Sequence, residues 1–341
     1  MLKKKFYISV LITAFFIGSY YYLTTGSLDI PPYKIAVILY KKLFGLNLGQ
    51  DKLYALVIWN GRLPRFIVSF LVGTSLAITG CVMQAIFKNP MASPGVTGVS
   101  SAAVFGAVLS LVIGVGYKNL IALPLFSILF SIITLLVVYL LSTSKGKTSI
   151  IMLLLVGMAC SLFFASCVTL LITLKLNDWQ VSKIIISWTF GELNDRQWTH
   201  IYIVFTTLIV GVSIVIFFVK DLNIIMHGEE FASNFGVDIS KVRFFLLLAC
   251  AVLTGGAVGV AGLIGFVGLI VPHISRTIIG NDNKILIPAA GLFGGVFLIY
   301  CDLLIRCIGK VDLKIGTVTG LLGAPYFISL LRKNRKRYLY F

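Results

Sequence analysis

Long uncharged stretches alternate with short charged segments along most of this chain. Five of these stretches are of membrane length: residues 6–23, 66–87, 119–144, 148–174 and 200–219. Because an α-helix rises about 1.5 Å per residue, each stretch can cross a hydrocarbon core about 30 Å thick. The pattern therefore predicts a transmembrane helix in each of them.

Four further apolar segments complete the predicted set: residues 91–117, 244–275, 285–301 and 315–331. The first opens with Pro94 and Gly95, so its helix is predicted to begin near Val96. The second is too long for one span, and its glycines predict a full span followed by a short one. Together the segments predict an all-α membrane protein with about ten transmembrane helices.

Composition agrees with a single multi-pass membrane domain over residues 1–341. Hydrophobic residues make up 58% of the chain, charged residues 12%, and the mean hydropathy is +1.00. This apolar surface exceeds what one soluble core can bury. The chain is therefore predicted to lie in a lipid bilayer.

Basic residues at both ends of the chain predict its orientation. Lys3, Lys4 and Lys5 precede the first stretch, which is longer than the apolar region of a signal peptide and has no small-residue cleavage site. A second basic group closes the chain: Arg332, Lys333, Arg335, Lys336 and Arg337. An even number of spans then places both termini in the cytoplasm, as the positive-inside rule favours.

Residues that could carry catalysis are sparse. The six cysteines and three histidines are scattered, without metal-type spacing or a nucleophile–base arrangement. Gly146-Lys147-Thr148 resembles the end of a phosphate-binding loop, but Leu141 stands where that loop requires glycine. We therefore expect no catalytic residue, metal or cofactor in this chain. If it takes part in ATP-driven transport, ATP and Mg²⁺ belong to a partner. The net charge of +17 indicates basic loops, and no nucleic-acid partner is expected.

The polar loop at 221–242 contains a short predicted helix built from Glu229, Glu230, Phe231, Phe235 and Gly236. The glutamates favour a helix N-terminus, the phenylalanines share one face at i and i+4, and the glycine ends the helix. Such a helix would lie outside the lipid and present aromatic side chains. The alternative is an ordinary amphipathic loop at the membrane interface.

The residues that bound the apolar segments are more specific than their hydrophobicity. Arg62-Leu63-Pro64-Arg65 precedes the second stretch, and Asn89-Pro90-Met91-Ala92-Ser93-Pro94 follows it. Further blocks are Gly80 with Met83-Gln84, Trp188 with Gly191 and Trp198, Gly228-Glu229-Glu230 with Ala232 and Gly236-Val237, Gly265 to His273 with Arg276 and Gly280, Asp302 with Arg306, and Gly323-Ala324-Pro325. On these blocks the chain resembles, along nearly its whole length, the permease subunits of bacterial iron-siderophore, heme and vitamin B12 ABC importers, the FecCD type. Met91 and Thr317 depart mildly from the family pattern.

The resemblance implies a vitamin B12 importer permease-like fold, paired as a dimer around a central pathway in the bacterial cytoplasmic membrane. It also implies two cytoplasmic ABC ATPase subunits, an extracytoplasmic substrate-binding protein and an iron-chelate cargo as partners. By the same resemblance, the helix that couples the permease to the ATPase comprises Gly228, Glu229, Glu230, Phe231, Ala232, Phe235, Gly236 and Val237. Whether the second permease subunit is another copy or a related chain stays open, as do the pathway residues that contact cargo.

Three arginines are implied to dock the binding protein: Arg62, Arg65 and Arg306. All three fall on the predicted outer face, and guanidinium groups pair well with carboxylates. The alternative for the first two is anchoring at the membrane interface. Asp302, four residues before Arg306, is expected to hold it by an ion pair.

A second set of residues is predicted to form helix breaks near an inner gate: Gln84, Asn89, Pro90, Ser93, Pro94, Gly95, Pro272, His273 and Arg276. Irregular backbone is tolerated in a membrane where it lines a cavity. The alternative role of this set is purely architectural.

The sequence thus predicts the permease of an ATP-driven importer of an iron chelate, with no catalysis of its own. Heme and cobalamin are alternative cargoes. A membrane-embedded enzyme is a more distant alternative, and the spans lack the ionisable cluster that it would need. A passive channel is another, and it would need neither a coupling helix nor an ATPase.

Overall fold

The computed structural model describes residues 2–26, 28, 30–175, 178–309 and 313–333. Its helices are α1 (Leu2–Thr24), α2 (Pro32–Leu43), α3 (Lys52–Leu56), α4 (Leu63–Ile86), α5 (Val99–Val112), α6 (Val115–Lys118), α7 (Ala122–Ser142), α8 (Ile150–Leu174), α9 (Trp179–Thr189), α10 (Trp198–Met226), α11 (Glu229–Asn234), α12 (Ile239–Ala261), α13 (Val267–Ile279), α14 (Asn283–Ile308) and α15 (Ile315–Lys333). Strands β1 (Thr143–Ser144) and β2 (Lys147–Thr148) pair antiparallel in the turn between α7 and α8. The basic residues Arg335, Lys336 and Arg337 lie outside the described residues.

The predicted set of membrane helices is confirmed. Within the described ranges, seven helices are long and apolar enough to span a membrane, and α5, α13 and α15 are shorter apolar helices. The segment predicted to split does so, because α12 ends at Ala261 and α13 begins at Val267. Phe266, directly before α13, has a left-handed backbone (φ 66°), which turns the chain there.

The sequence did not predict the peripheral helices α2 and α9. Charged residues interrupt the apolar pattern of α2, and α9 is only 11 residues long. The helix of the Arg62 motif also begins earlier than expected, because a π-helical turn at Val57–Arg62 joins α3 to α4. One continuous helix therefore runs from Gly49 to Ile86. Ile38 and Ile58 pack α2 against it.

The centre of the bundle is formed by α4, α12 and α14. Most residues of α4 and α12 are buried, whereas few residues of α1 and α8 are. The close approach of α4 to α14 depends on small side chains, since Gly73 and Ala77 lie directly against Gly294. Lipid provides no hydrophobic drive for helix association, so close packing of this kind holds the bundle together.

Candidate functional site

The two ends of the bundle carry different polar groups. At one end, called the arginine end, the C-termini of α1 and α14 meet the N-terminus of α4 around Arg62, Arg65 and Arg306. At the other, called the α11 end, the N-terminus of α12 meets α11 and the turn between α7 and α8. The structure thus gathers each predicted set of residues, for docking and for coupling, at a separate end of the helices.

Arg62 is buried within its own chain. Its side chain is only 5% exposed, and Nη1 donates to the carbonyl oxygens of Leu23 at 2.6 Å and Thr24 at 2.9 Å. Nη2 donates to the carbonyl of Leu28. The guanidinium therefore holds the turn after α1. Docking by Arg62 stays a prediction, and the burial of the side chain against its own backbone does not favour it.

Arg65 forms an ion pair with a buried carboxylate of its own chain. Its Nε and Nη2 donate to the two oxygens of Asp302 at 2.8 and 2.6 Å, and Tyr22 donates to the same carboxylate. Nη1 donates to Oδ1 of Asn194 at 2.5 Å. The expected ion pair between Asp302 and Arg306 is therefore wrong, because Arg65 takes this carboxylate in a bidentate geometry.

Arg306 remains half-exposed and holds the end of α1 from the other side. It donates to the carbonyls of Tyr22 at 2.8 Å and Thr25 at 2.6 Å, and its guanidinium lies 4.5 Å from the centre of the Tyr22 ring. Tyr22 is completely buried. Tyr20 and Tyr21 are each 52% exposed, as expected of interfacial tyrosines.

A polar junction around Glu192 extends the arginine end. The backbone N–H of Glu192 donates to Ala261, and Ile315 donates to Gly191, so the ends of α9, α12 and α15 meet. Lys314 donates to Oε1 of Glu192 at 2.9 Å. Burial alone would raise the pKa of this carboxyl, but hydrogen bonds from Ser187, Lys314 and Asn194 together lower it.

The first of the predicted gate residues lie at the C-terminus of α4 and directly after it. Gln84 is buried, and its Nε2 donates to the carbonyl of Leu269 in α13 at 3.0 Å. Asn89 accepts from the N–H of Met91 at 2.9 Å, which closes the turn that contains Pro90. These contacts fit the architectural alternative and leave the gating role a prediction.

The second half of the break leads into α5. Ser93 has an extended backbone, and Pro94 starts a 3₁₀ turn over Pro94–Thr97. The carbonyl of Gly95 accepts from the hydroxyl of Ser161 at 2.8 Å, which ties the turn to α8. The sequence thus places this break correctly, at the residues where proline forbids a continuous helix.

Pro272, His273 and Arg276 lie within α13 rather than at its end. Pro272 is buried, and the other two are half-buried. Among the described residues, His273 Nδ1 and Arg276 Nη2 are buried without a hydrogen-bond partner. Each of these two side chains therefore leaves a buried polar atom of α13 without a hydrogen-bond partner.

The helix α11 has the local geometry that the sequence predicts. Its first turn holds Glu229 and Glu230, and Gly236 follows it with φ 76°, a conformation that glycine adopts at little cost. The rings of Phe231 and Phe235 lie 4.6 Å apart and are 47% and 65% exposed.

The other members of the predicted coupling set frame this helix. Ala232 is completely buried against the bundle, and the N–H of Val237 donates to its carbonyl at 3.1 Å. Gly228 precedes the helix, and its carbonyl accepts from the N–H of Ala232 at 3.0 Å. The result is a short helix seated on its own chain, with an aromatic face open to a partner.

Several polar residues at these two ends were not predicted from the sequence. They are Tyr22, Glu192, Asn194, Arg243 and Lys314. Each is a single polar side chain in an apolar or loop context, and its partner lies far away in the sequence. The only available signal was the position of a charged residue at the edge of an apolar segment.

Comparison with known proteins agrees with the motifs. The model of the FecCD transport family matches residues 11–333. A protein of Methanocaldococcus jannaschii named as an ABC transporter permease is 37% identical, over 98% of this chain and 96% of its own length. The cobalamin import system permease BtuC of Halobacterium salinarum is 33% identical, over 86% of this chain and 78% of its own length.

A solved structure shares the fold. It is described as a metal-chelate type ABC transporter in an inward-facing conformation, and it superposes with a TM-score of 0.83 at 27% identity. The superposition covers 97% of this chain and 99% of the other. Other relatives are named for import of Fe(3+)-citrate, hemin and molybdate.

Proposed function

Because the chain belongs to the FecCD transport family and is an ABC importer permease, we propose that it moves an iron chelate, a ferric siderophore, across the cytoplasmic membrane. The permeases of this family are not themselves catalytic, and we assign ATP hydrolysis, with its Mg²⁺, to a separate subunit. The observation that carries the proposal is the exposed aromatic face of α11, next to a buried anchor. That arrangement suits a helix that receives force from a cytoplasmic partner.

The proposed assembly has two permease subunits, two ATPase subunits and an extracytoplasmic binding protein. In this arrangement the α11 end faces the cytoplasm together with both chain termini, and the arginine end faces outward. Arg306 is the strongest candidate for docking, because it is half-exposed and its charge has no carboxylate partner within hydrogen-bond distance among the described residues. Arg65 contributes less, because Asp302 already neutralises it.

Cargo is the finer part of the proposal. Relatives are named for cobalamin, Fe(3+)-citrate, hemin and molybdate, so family membership is compatible with several chemistries. Ferric siderophores are favoured because iron compounds recur among the named cargoes of these relatives. The sequence also resembles importers of iron chelates. Heme and cobalamin are the alternatives.

Competitive uptake would identify the cargo. Proteoliposomes would hold this chain with its ATPase and binding protein, and would be offered labelled ferric siderophore. Unlabelled siderophore should compete, whereas excess heme, cobalamin, ferric citrate or molybdate should not. Competition by one of the other compounds alone would replace the siderophore as the cargo.

A further inference from the structure

A buried arginine lies where three elements of the α11 end meet. Arg243, in the second turn of α12, is only 2% exposed. Its Nη2 donates to Oε1 of Glu229 in α11 at 2.5 Å, and its Nη1 donates to the carbonyl of Thr148 at 3.3 Å. One guanidinium thus joins α12 to both α11 and the turn between α7 and α8.

The start of α12 is bound at two more points, once to this turn and once to the end of α7. The hydroxyl of Ser240 donates to the carbonyl of Gly146 at 2.8 Å. Tyr139, near the end of α7, donates its hydroxyl to the carbonyl of Ser240 at 3.0 Å. The turn and the start of α12 are therefore fixed to one another independently of α11.

The contact with α11 differs in kind, because it is an ion pair with one buried partner. The side chain of Arg243 is 3% exposed, whereas that of Glu229 is 50% exposed. A buried guanidinium is unfavourable without its counter-charge, so α11 cannot move away from α12 without leaving that charge uncompensated. The planar fork of arginine also suits two acceptors on different elements, which a lysine could not hold together.

We propose that Arg243 is a positioning residue that locks α11 to α12 and to the turn between α7 and α8, so that the three move as one unit. The inference rests on the proposed function, in which the ATPase displaces α11. It gives Glu229 an inward role, since its carboxylate holds the helix while Phe231 and Phe235 remain exposed for the ATPase. Motion at α11 would then reach α7, α8 and α12 directly.

Two measurements test this lock. The first is amide hydrogen exchange of residues 143–148 and 228–237 in the purified full-length permease. The second is the amount of cargo transported per ATP hydrolysed, in proteoliposomes that hold the complete transporter. The variants are Arg243→Gln, which removes the charge, Arg243→Lys, which keeps it, and Glu229→Ala, which removes the partner from the half-exposed side. Lys241→Gln is the matched control, because it removes a positive charge from an exposed position two residues away.

We expect Arg243→Gln and Glu229→Ala to raise exchange in 228–237 by about tenfold. They should lower cargo per ATP by about tenfold while ATP hydrolysis is retained. Arg243→Lys should retain part of the coupling, and Lys241→Gln should behave as the wild type. A residue needed only for folding would instead lower hydrolysis and transport together.

Unchanged exchange in both disrupting variants would overturn the lock. A parallel loss of hydrolysis and transport, with cargo per ATP unaltered, would overturn its role in transmission. If Arg243→Gln fails to fold, Glu229→Ala decides both points, because its side chain is half-exposed. If the wild-type complex shows no ATP-dependent uptake, the proposed function fails, and the exchange result alone upholds or overturns the lock.

Discussion

At the residue scale, burial decides what the arginines do. The sequence places Arg62 and Arg65 correctly, at the edge of an apolar segment, yet it cannot supply their partners. Arg65 pairs with Asp302, which lies 237 positions later. Sequence spacing predicts only neighbours on one helix, and the i, i+4 pairing of Asp302 with Arg306 was the wrong choice for that reason. The closure of a long-range pair depends on helix packing.

Close backbone contact is a second property of single residues. A Cβ atom on Gly80 of α4 would overlap the carbonyl oxygen of Gly268 in α13. We therefore predict that Gly80→Ala forces the two helices apart and destabilises the fold by about 1–3 kcal/mol, as overpacking does. The measurement is the midpoint of thermal unfolding in detergent, followed by size-exclusion chromatography.

Gly61→Ala is the matched control for this substitution. A Cβ atom there would meet no neighbouring atom within 4 Å. Its midpoint should equal or exceed that of the wild type, because alanine favours helix by about 1 kcal/mol over glycine. Equal midpoints for the two variants would show that the contact between α4 and α13 is looser than described.

At the element scale, the positions of the long helices follow from hydrophobic length, and the break between α12 and α13 follows from length and glycine. The short helix α9 and the extension of α4 back to Gly49 do not follow from hydrophobic length. Charged residues interrupt the hydropathy pattern of both segments, although tertiary contacts stabilise each of them as a helix. The meeting of three helix ends at Glu192 could not be predicted either, because it joins segments distant in sequence.

The Glu192 junction predicts a pH dependence. Folding lowers the pKa of this carboxyl from its ordinary value of 4.5. Its hydrogen bonds and ion pair therefore stabilise the protein fully at a pH above 4.5. That stabilisation is lost as the pH falls through the lowered pKa. The wild type should therefore lose thermal stability in acid more steeply than Glu192→Gln, which lacks the titrating group and is less stable at neutral pH.

Thermal midpoints measured from about pH 7 to about pH 3 would check this expectation. Asp195→Asn serves as the control, because Asp195 is an exposed carboxylate in the same loop. It should keep the acid dependence of the wild type. Identical curves for the wild type and Glu192→Gln would contradict a stabilising role for the junction.

The helix α11 predicts an assembly defect. Replacing Phe231 and Phe235 by alanine removes the exposed aromatic face but leaves Ala232 and Glu229 seated on the bundle. Aromatic anchors at interfaces commonly contribute about 2 kcal/mol or more each, so the ATPase should no longer co-purify. Phe217→Ala is the control, since Phe217 is 77% exposed on α10 and should leave co-purification intact. Retention of the ATPase by the double variant would remove α11 from the interface.

At the scale of the whole molecule, the sequence predicts the class of protein but does not identify its cargo. Apolar surface and segment length lead to a multi-pass bundle, and ordered motifs lead to the FecCD family, which the comparisons confirm. Neither the apolar pattern nor the motifs identify the cargo. The relatives differ in their named cargoes despite similar identity to this chain.

In the proposed function, a partner ATPase acting on α11 drives the movement of cargo through this bundle. This proposal is tested most directly by uptake of labelled ferric siderophore into proteoliposomes that contain the complete transporter, with and without ATP and the binding protein. We predict accumulation only when both are present, and its loss in the Phe231→Ala/Phe235→Ala variant. Flux that continues without ATP or the binding protein would contradict the account and indicate a passive channel.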